Sequence, residues 1–179
     1  LKVLGIIGWS GSGKTTLVTA LLPLLLGRGL SVSTVKHTHH GFDMDRPGKD
    51  TYRHREAGAR EVLVASSRRW ALMHEVEGNE PELPDLLARL SPVDLVLVEG
   101  FKAHPFAKLE VHRPALGKPA IWPDQADVAA VAADAPIRCD RAVLALNDPA
   151  SVMDWLLGFL NLGPQPVATI PIAAVPNRR

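Results

Sequence analysis

Gly8-Trp9-Ser10-Gly11-Ser12-Gly13-Lys14-Thr15 matches the pattern G-x-x-x-x-G-K-[ST], and the fold is read outward from it. Ahead of it, residues 1–7 (Leu-Lys-Val-Leu-Gly-Ile-Ile) have the apolar run of a short, buried, parallel-type strand. Behind it, residues 16–26 read as a helix. Glycines let the intervening loop wrap tightly, so that backbone N–H groups and the positive helix end converge on a phosphate. Lys14 then reaches the terminal phosphates, and the Thr15 hydroxyl is a Mg²⁺ ligand. The expected nucleotide-binding residues are Gly8, Ser10, Gly11, Ser12, Gly13, Lys14, Thr15 and Thr16. The expected ligand is a nucleoside phosphate.

The chain of 179 residues is long enough to bury a core without disulfide or metal staples. Its 46% hydrophobic content is ordinary for a globular protein, and no apolar run approaches the roughly 20 residues of a membrane span. Lys and Arg number 20 against 19 Asp and Glu, a balance that argues against a nucleic-acid partner. The single cysteine, Cys139, excludes an internal disulfide framework and fits a reducing cytoplasm. No signal-peptide pattern is visible. Leu1 opens straight into a strand, so the numbering is expected to lack an initiator Met.

Apolar runs alternate with helical patterns along the rest of the chain. Strands are expected at residues 31–36, 93–98, 108–112, 128–132 and 142–146, and a β-hairpin at 61–65 and 70–75. Helices are expected at 50–57, 83–90 and 151–160, the last preceded by Asp148-Pro149 as a start signal. Pro23 interrupts the leucine cluster of the first helix, and Gly27-Arg28-Gly29 reads as its end. Buried strands separated by helices predict a three-layer α/β fold with a mainly parallel sheet and a hairpin extension. Residues 1–160 form the expected single P-loop domain, and 161–179 a Pro/Ala-rich tail.

A phosphate site with Mg²⁺ needs a carboxylate, and the natural place is the C-terminal tip of a buried strand beside the loop. Glu99 stands at such a tip, and Gly100 permits a sharp turn next to it. Asp94, at the strand's other end, reads as a turn or capping residue. Lys14 and Glu99 are the expected catalytic groups. The segment from Lys36 to Asp50 is dense in function: His37, His39, His40, Asp43, Asp45, Lys49 and Asp50 lie within it. Asp43 or Asp45 is expected to help Thr15 and Glu99 hold Mg²⁺ or its waters; spacing does not choose between them. His39 and His40 also fit a transition-metal reading, although no cysteine lies nearby.

Taken together, these residues resemble a known family. The loop at 8–16, the run Val35-Lys36-His37-Thr38-His39-His40 with Asp43, Asp45 and Pro47-Gly48-Lys49-Asp50-Thr51, the turn Ala57-Gly58-Ala59, and Leu97-Val98-Glu99-Gly100-Phe101-Lys102 are similar to the molybdopterin-guanine dinucleotide biosynthesis adapter family, MobB. Lys108-Leu109-Glu110-Val111-His112-Arg113 and Leu146-Asn147-Asp148-Pro149 fit the same pattern, so the resemblance covers residues 1–160. It implies a GTP-binding, Mg²⁺-dependent accessory protein with weak GTPase activity, working beside the MobA-type guanylyltransferase that joins GMP to molybdopterin. It also implies a cytoplasmic homodimer, with molybdopterin as a further candidate ligand. Substrate or partner contacts are then expected at Lys36, His37, His39, His40, Lys49, Asp50, Lys102 and Arg113.

The sequence departs from other guanine-binding patterns. An N-K-x-D motif is absent, so guanine preference comes from the resemblance alone. Trp9 and Ser10 occupy the positions where some dimer-activated P-loop ATPases carry a second lysine. Two other classes share the loop. A small-molecule or nucleotide kinase would use Arg53, Arg55, Arg68 and Arg69 as phosphate clamps, and a metal-insertion GTPase would use His37, His39 and His40.

Overall fold

The strand ahead of the loop, β1 (Lys2–Ile7), is an inner strand of the sheet and is followed after the loop by α1 (Lys14–Gly27). β2 (Val32–Lys36) comes next, and after a long connection β5 (Leu95–Glu99), β6 (Lys108–His112), β7 (Val128–Ala133), β8 (Ala142–Ala145) and α4 (Pro149–Phe159). The connection holds α2 (Asp50–Glu56), the hairpin β3 (Glu61–Ala65) and β4 (Trp70–His74), and α3 (Leu83–Leu87). This computed structural model describes residues 1–38, 42 and 44–163. His39, His40 and Asp43, and the tail from residue 164 on, lie outside the described residues.

Six strands form one sheet in the order β2-β5-β1-β6-β7-β8, and every pairing in it is parallel. Parallel strands are buried on both faces, which is why β5 reads as an unbroken apolar run ending in Glu99. On one face α1 and α4 supply Leu17, Leu21, Leu25, Val152 and Leu156 to a core that includes Leu4, Ile6, Leu97, Leu109 and Val111. A second cluster joins Ile7, Val128 and Val131 to Ile121. Asp94 ties the starts of two neighbouring strands together: its carboxylate accepts from the Ser31 backbone N–H at 2.8 Å and from the Ser31 hydroxyl at 2.6 Å. These bonds hold the Asp94 carboxyl below its usual range.

β6 carries three buried ionisable groups at alternate positions, Lys108, Glu110 and His112. Each has partners, as burial demands. The Lys108 ammonium donates to the His104 and Phe106 carbonyls at 2.6 and 3.2 Å and pairs with Asp127. Glu110 accepts from the backbone N–H groups of Ile121 and Trp122 at 3.0 and 2.9 Å. It thereby satisfies the start of the short 3₁₀ turn Trp122–Asp124.

Contacts divide the chain into two units: Leu1–His37 with the residues from Pro92 on, and Thr38–Ser91. The domain expected at 1–160 therefore contains an inserted unit. Within that unit, β3 and β4 pair antiparallel with Leu63 opposite Leu72 and Ala65 opposite Trp70. Val62 is buried, whereas Leu63 is 62% and Trp70 68% exposed.

Candidate functional site

Strand register gathers the site at the C-terminal edge of the sheet. Ile6 is paired with Glu99, and Glu99 with Lys36, so the ends of β1, β5 and β2 lie side by side. In open α/β sheets this edge is where ligands bind. From Ile7 the chain enters the loop through Gly8, whose φ is 147°. A Cβ at Gly8 would stand 2.5 Å from the Val111 carbonyl oxygen and 2.7 Å from Ser12 Oγ, so no other residue fits there without moving the backbone. Ser12 is buried beneath the loop, and Ser10 and Thr16 are exposed. Gly13 caps α1 in the left-handed region, leaving the first N–H groups of the helix without a side-chain cap.

The Thr15 hydroxyl donates to the Glu99 carboxylate, 2.9 Å from Oε1 and 3.0 Å from Oε2. Lys36 Nζ lies 3.4 Å from both Thr15 Oγ1 and Glu99 Oε1. Lys14 Nζ donates to the Trp9 carbonyl at 3.0 Å. Burial pushes the Lys14 ammonium below the ordinary lysine value; Glu99 opposes this, while Lys102 and Lys36 add to it. The donor set suits Mg²⁺, a hard cation that takes oxygen ligands and keeps phosphate oxygens and waters in its shell. Thr15 and Glu99 are oxygen donors already in contact.

Arg113, directly after β6, packs against the loop from the other side. Its Nε donates to the Ser12 carbonyl at 2.9 Å and its guanidinium pairs with Asp134 at 2.6 Å. Arg113, expected among substrate or partner contacts, has loop backbone as a partner in the structure. Trp9, which sequence reading assigned no role, donates from its indole N–H to the Pro119 carbonyl at 2.7 Å, and Lys102 Nζ lies 4.6 Å from its ring centre.

After Glu99 the chain turns through two residues of positive φ, Gly100 at 104° and Phe101 at 51°. A Cβ at Gly100 would lie 2.8 Å from the His37 Cβ. The Phe101 ring, buried, lies 4.6 Å from the His37 ring and 5.1 Å from that of His104. Thus Lys36, His37, Glu99, Lys102 and Arg113 come together with the loop. Asp45, Lys49 and Asp50 belong to the inserted unit. There Arg55 holds the Asp45 carboxylate at 2.8 Å and Glu75 at 3.0 Å, and Lys49-Asp50 forms the start of α2. Among the described residues no group of three His, Cys, Asp or Glu is arranged for a metal ion. Asn147-Asp148 serves α4, the Asp148 carboxylate accepting from the Ser151 backbone N–H at 3.3 Å.

A parallel sheet with this loop, helix and acidic strand tip defines an α/β protein of the P-loop class. The family model of molybdopterin guanine dinucleotide synthesis protein B, MobB, matches residues 3–134. The chain belongs to that family. It is 42% identical over 164 residues to the molybdopterin-guanine dinucleotide biosynthesis adapter protein of Escherichia coli K12, covering 89% of this chain and 94% of that protein. The adapter protein of Haemophilus influenzae is also 42% identical, with 90% of each chain covered. The crystal structure of a MobB homolog from Bacillus stearothermophilus superposes with a TM-score of 0.65 at 25% identity, covering 90% of this chain and 99% of that one.

Proposed function

We propose that this chain is a GTP-binding adapter of molybdopterin guanine dinucleotide synthesis, which holds Mg²⁺-GTP at its P-loop in the cytoplasm and assists a MobA-type guanylyltransferase. The adapter role is that of its 42% identical relatives. The guanine dinucleotide in the family's description supports GTP as the nucleotide. The observation that carries the site is the Thr15–Glu99 contact beside the loop. Thr15 would ligate Mg²⁺ and Glu99 would hold the ion or its waters, while the ion neutralises charge on the phosphate oxygens.

Lys14 contributes a point charge to the phosphates, and the exposed N-terminus of α1 contributes N–H donors. Rapid turnover needs a further group that orients water or neutralises the transition state, commonly Gln or Arg. Arg113 is engaged by the Ser12 carbonyl and Asp134, which supports weak GTPase activity and a mainly binding role. The exposed Leu63, Trp70 and Leu72 support a homodimer formed through the hairpin.

Calorimetry with Mg²⁺-GTP tests the reading. Lys14→Ala is expected to abolish measurable binding while the thermal melt stays that of a folded protein; wild-type affinity in the variant would refute the site. Titrating the guanylyltransferase with and without GTP tests the adapter part. By linkage, whatever factor GTP applies to partner affinity, the partner applies to GTP affinity. Identical partner binding in both titrations would refute a nucleotide-dependent adapter.

A further inference from the structure

Four ammonium groups reach the P-loop: Lys14 from its own end, Lys36 from the end of β2, Lys102 from the turn after β5, and more distantly Lys118, 5.9 Å from the Trp9 ring centre. Glu99 is the carboxylate set against them. Like charges gathered around one acid form a positive site, the complement of a polyphosphate. Lys14 and Lys102 both converge on Trp9, one on its carbonyl and the other on its ring. They are close enough that the charge of Lys102 helps lower the pKa of Lys14.

Lys102 arrives by an unrelaxed route. Phe101 has a φ of 51°, in the left-handed region that side-chain-bearing residues disfavour. Burial of its ring between His37 and His104 holds it there. The turn folds Lys102 back over the loop instead of letting the chain run on from β5. Trp9 is fixed by its bond to Pro119, so the mobile partner in the cation–π contact is the flexible lysine stem. A contact of that kind at a partly exposed ring is weak, and a charge-assisted bond to phosphate is stronger.

We propose that Lys102 is a second phosphate-binding lysine, supplied by the Gly100-Phe101 turn, which exchanges the face of Trp9 for the terminal phosphate of a nucleoside triphosphate and so distinguishes triphosphate from diphosphate. This rests on the nucleotide-site reading above. The position that Trp9 and Ser10 deny to a lysine within the loop is thus served from another strand.

The test is calorimetric titration of the full chain with Mg²⁺-GTP and Mg²⁺-GDP, for the wild type, Lys102→Met and Lys102→Arg, each first checked by thermal melting. Lys102→Met is expected to weaken GTP on the order of tenfold and GDP by less than about threefold, so the preference for triphosphate falls. Lys102→Arg, which keeps the charge, restores most of it. Lys102→Gln serves the same purpose should the Met variant not fold. Trp9 gives a second readout: emission subtracted against Trp9→Phe changes more with GTP than with GDP, and the difference disappears in Lys102→Met. A folded Lys102→Met or Lys102→Gln variant with the wild-type GTP/GDP ratio overturns the proposal and leaves the nucleotide site standing. A wild-type protein that binds neither nucleotide overturns both.

Discussion

Thr15 Oγ1 bridges the two oxygens of Glu99 at 2.9 and 3.0 Å, although 84 positions of chain separate them. The contact joins the first turn of α1 to the tip of β5. Glu99→Gln preserves the shape and removes the charge. Loss of a carboxylate that holds a metal or its waters costs on the order of 10- to 100-fold in metal affinity. We expect Mg²⁺-dependent hydrolysis to fall by that order and Mg²⁺-free nucleotide binding to change little. Hydrolysis equal to wild type would reduce Glu99 to a strand terminator.

The lowered pKa of Lys14 sets a pH dependence. A bound polyphosphate favours the charged ammonium, so binding takes up a proton once the free protein's Lys14 has begun to titrate. Affinity is therefore full below the lowered pKa and declines as pH rises through it, earlier than an ordinary lysine would dictate. Between that pKa and the ordinary value the unfolded chain holds more protons, so folding stability gains with pH over the same window. Titrations across the alkaline range check the sign; affinity that rises with pH there would contradict it.

Gly8→Ala sets a Cβ 2.5 Å from the Val111 carbonyl oxygen at a φ of 147°. Backbone strain of this kind costs on the order of 1–3 kcal/mol. Denaturant midpoints are expected to fall accordingly, and nucleotide affinity with them, since the loop must shift. Gly11→Ala meets no atom within 4 Å of its Cβ, so only its φ of 79° opposes the change, and the effect is expected to be smaller. Equal losses at both positions would show that the Val111 contact is unimportant.

The hairpin presents Leu63, Leu72 and Trp70 on one face by strand register. An apolar hairpin face with an unpaired edge invites another chain. Light scattering at tens of micromolar, on the order of usual assay concentrations, is expected to report a dimer. Leu63→Asp with Leu72→Asp is expected to give monomers that still bind GTP. A wild-type monomer at that concentration would refute the pairing.

The loop and its strand were legible because glycine spacing and a buried apolar run are local signals, carried by residues 1 to 16. Glu99 was legible for a similar reason, as the acidic end of such a run. Arg113 on the Ser12 carbonyl was not: the two are 101 positions apart, and only the pairing of β1 with β6 brings them together. The same holds for Lys102 over Trp9, which depends on two consecutive residues of positive φ. The helix read over residues 16–26 contains Pro23, and α1 does run through it to Gly27, because Leu17, Leu21 and Leu25 bury the helix against the sheet. Tertiary packing outweighed a local propensity. The buried Lys108 and Glu110 on β6 also gave no sign of their burial, since Asp127 and the backbone N–H groups of Ile121 and Trp122 reach them from further along the chain.

β2 and β5 are hydrogen-bonded neighbours, fastened at their starts by Ser31 and Asp94, and all of the unit Thr38–Ser91 is strung between them. A parallel crossover needs only a dozen or so residues. Loop-closure entropy grows only with the logarithm of length, so the sheet is nearly indifferent to how much chain the crossover contains. That makes the crossover a cassette. Material can be gained, lost or exchanged there over evolutionary time at little thermodynamic penalty, while the loop after β1, set among strands on both sides, keeps its geometry.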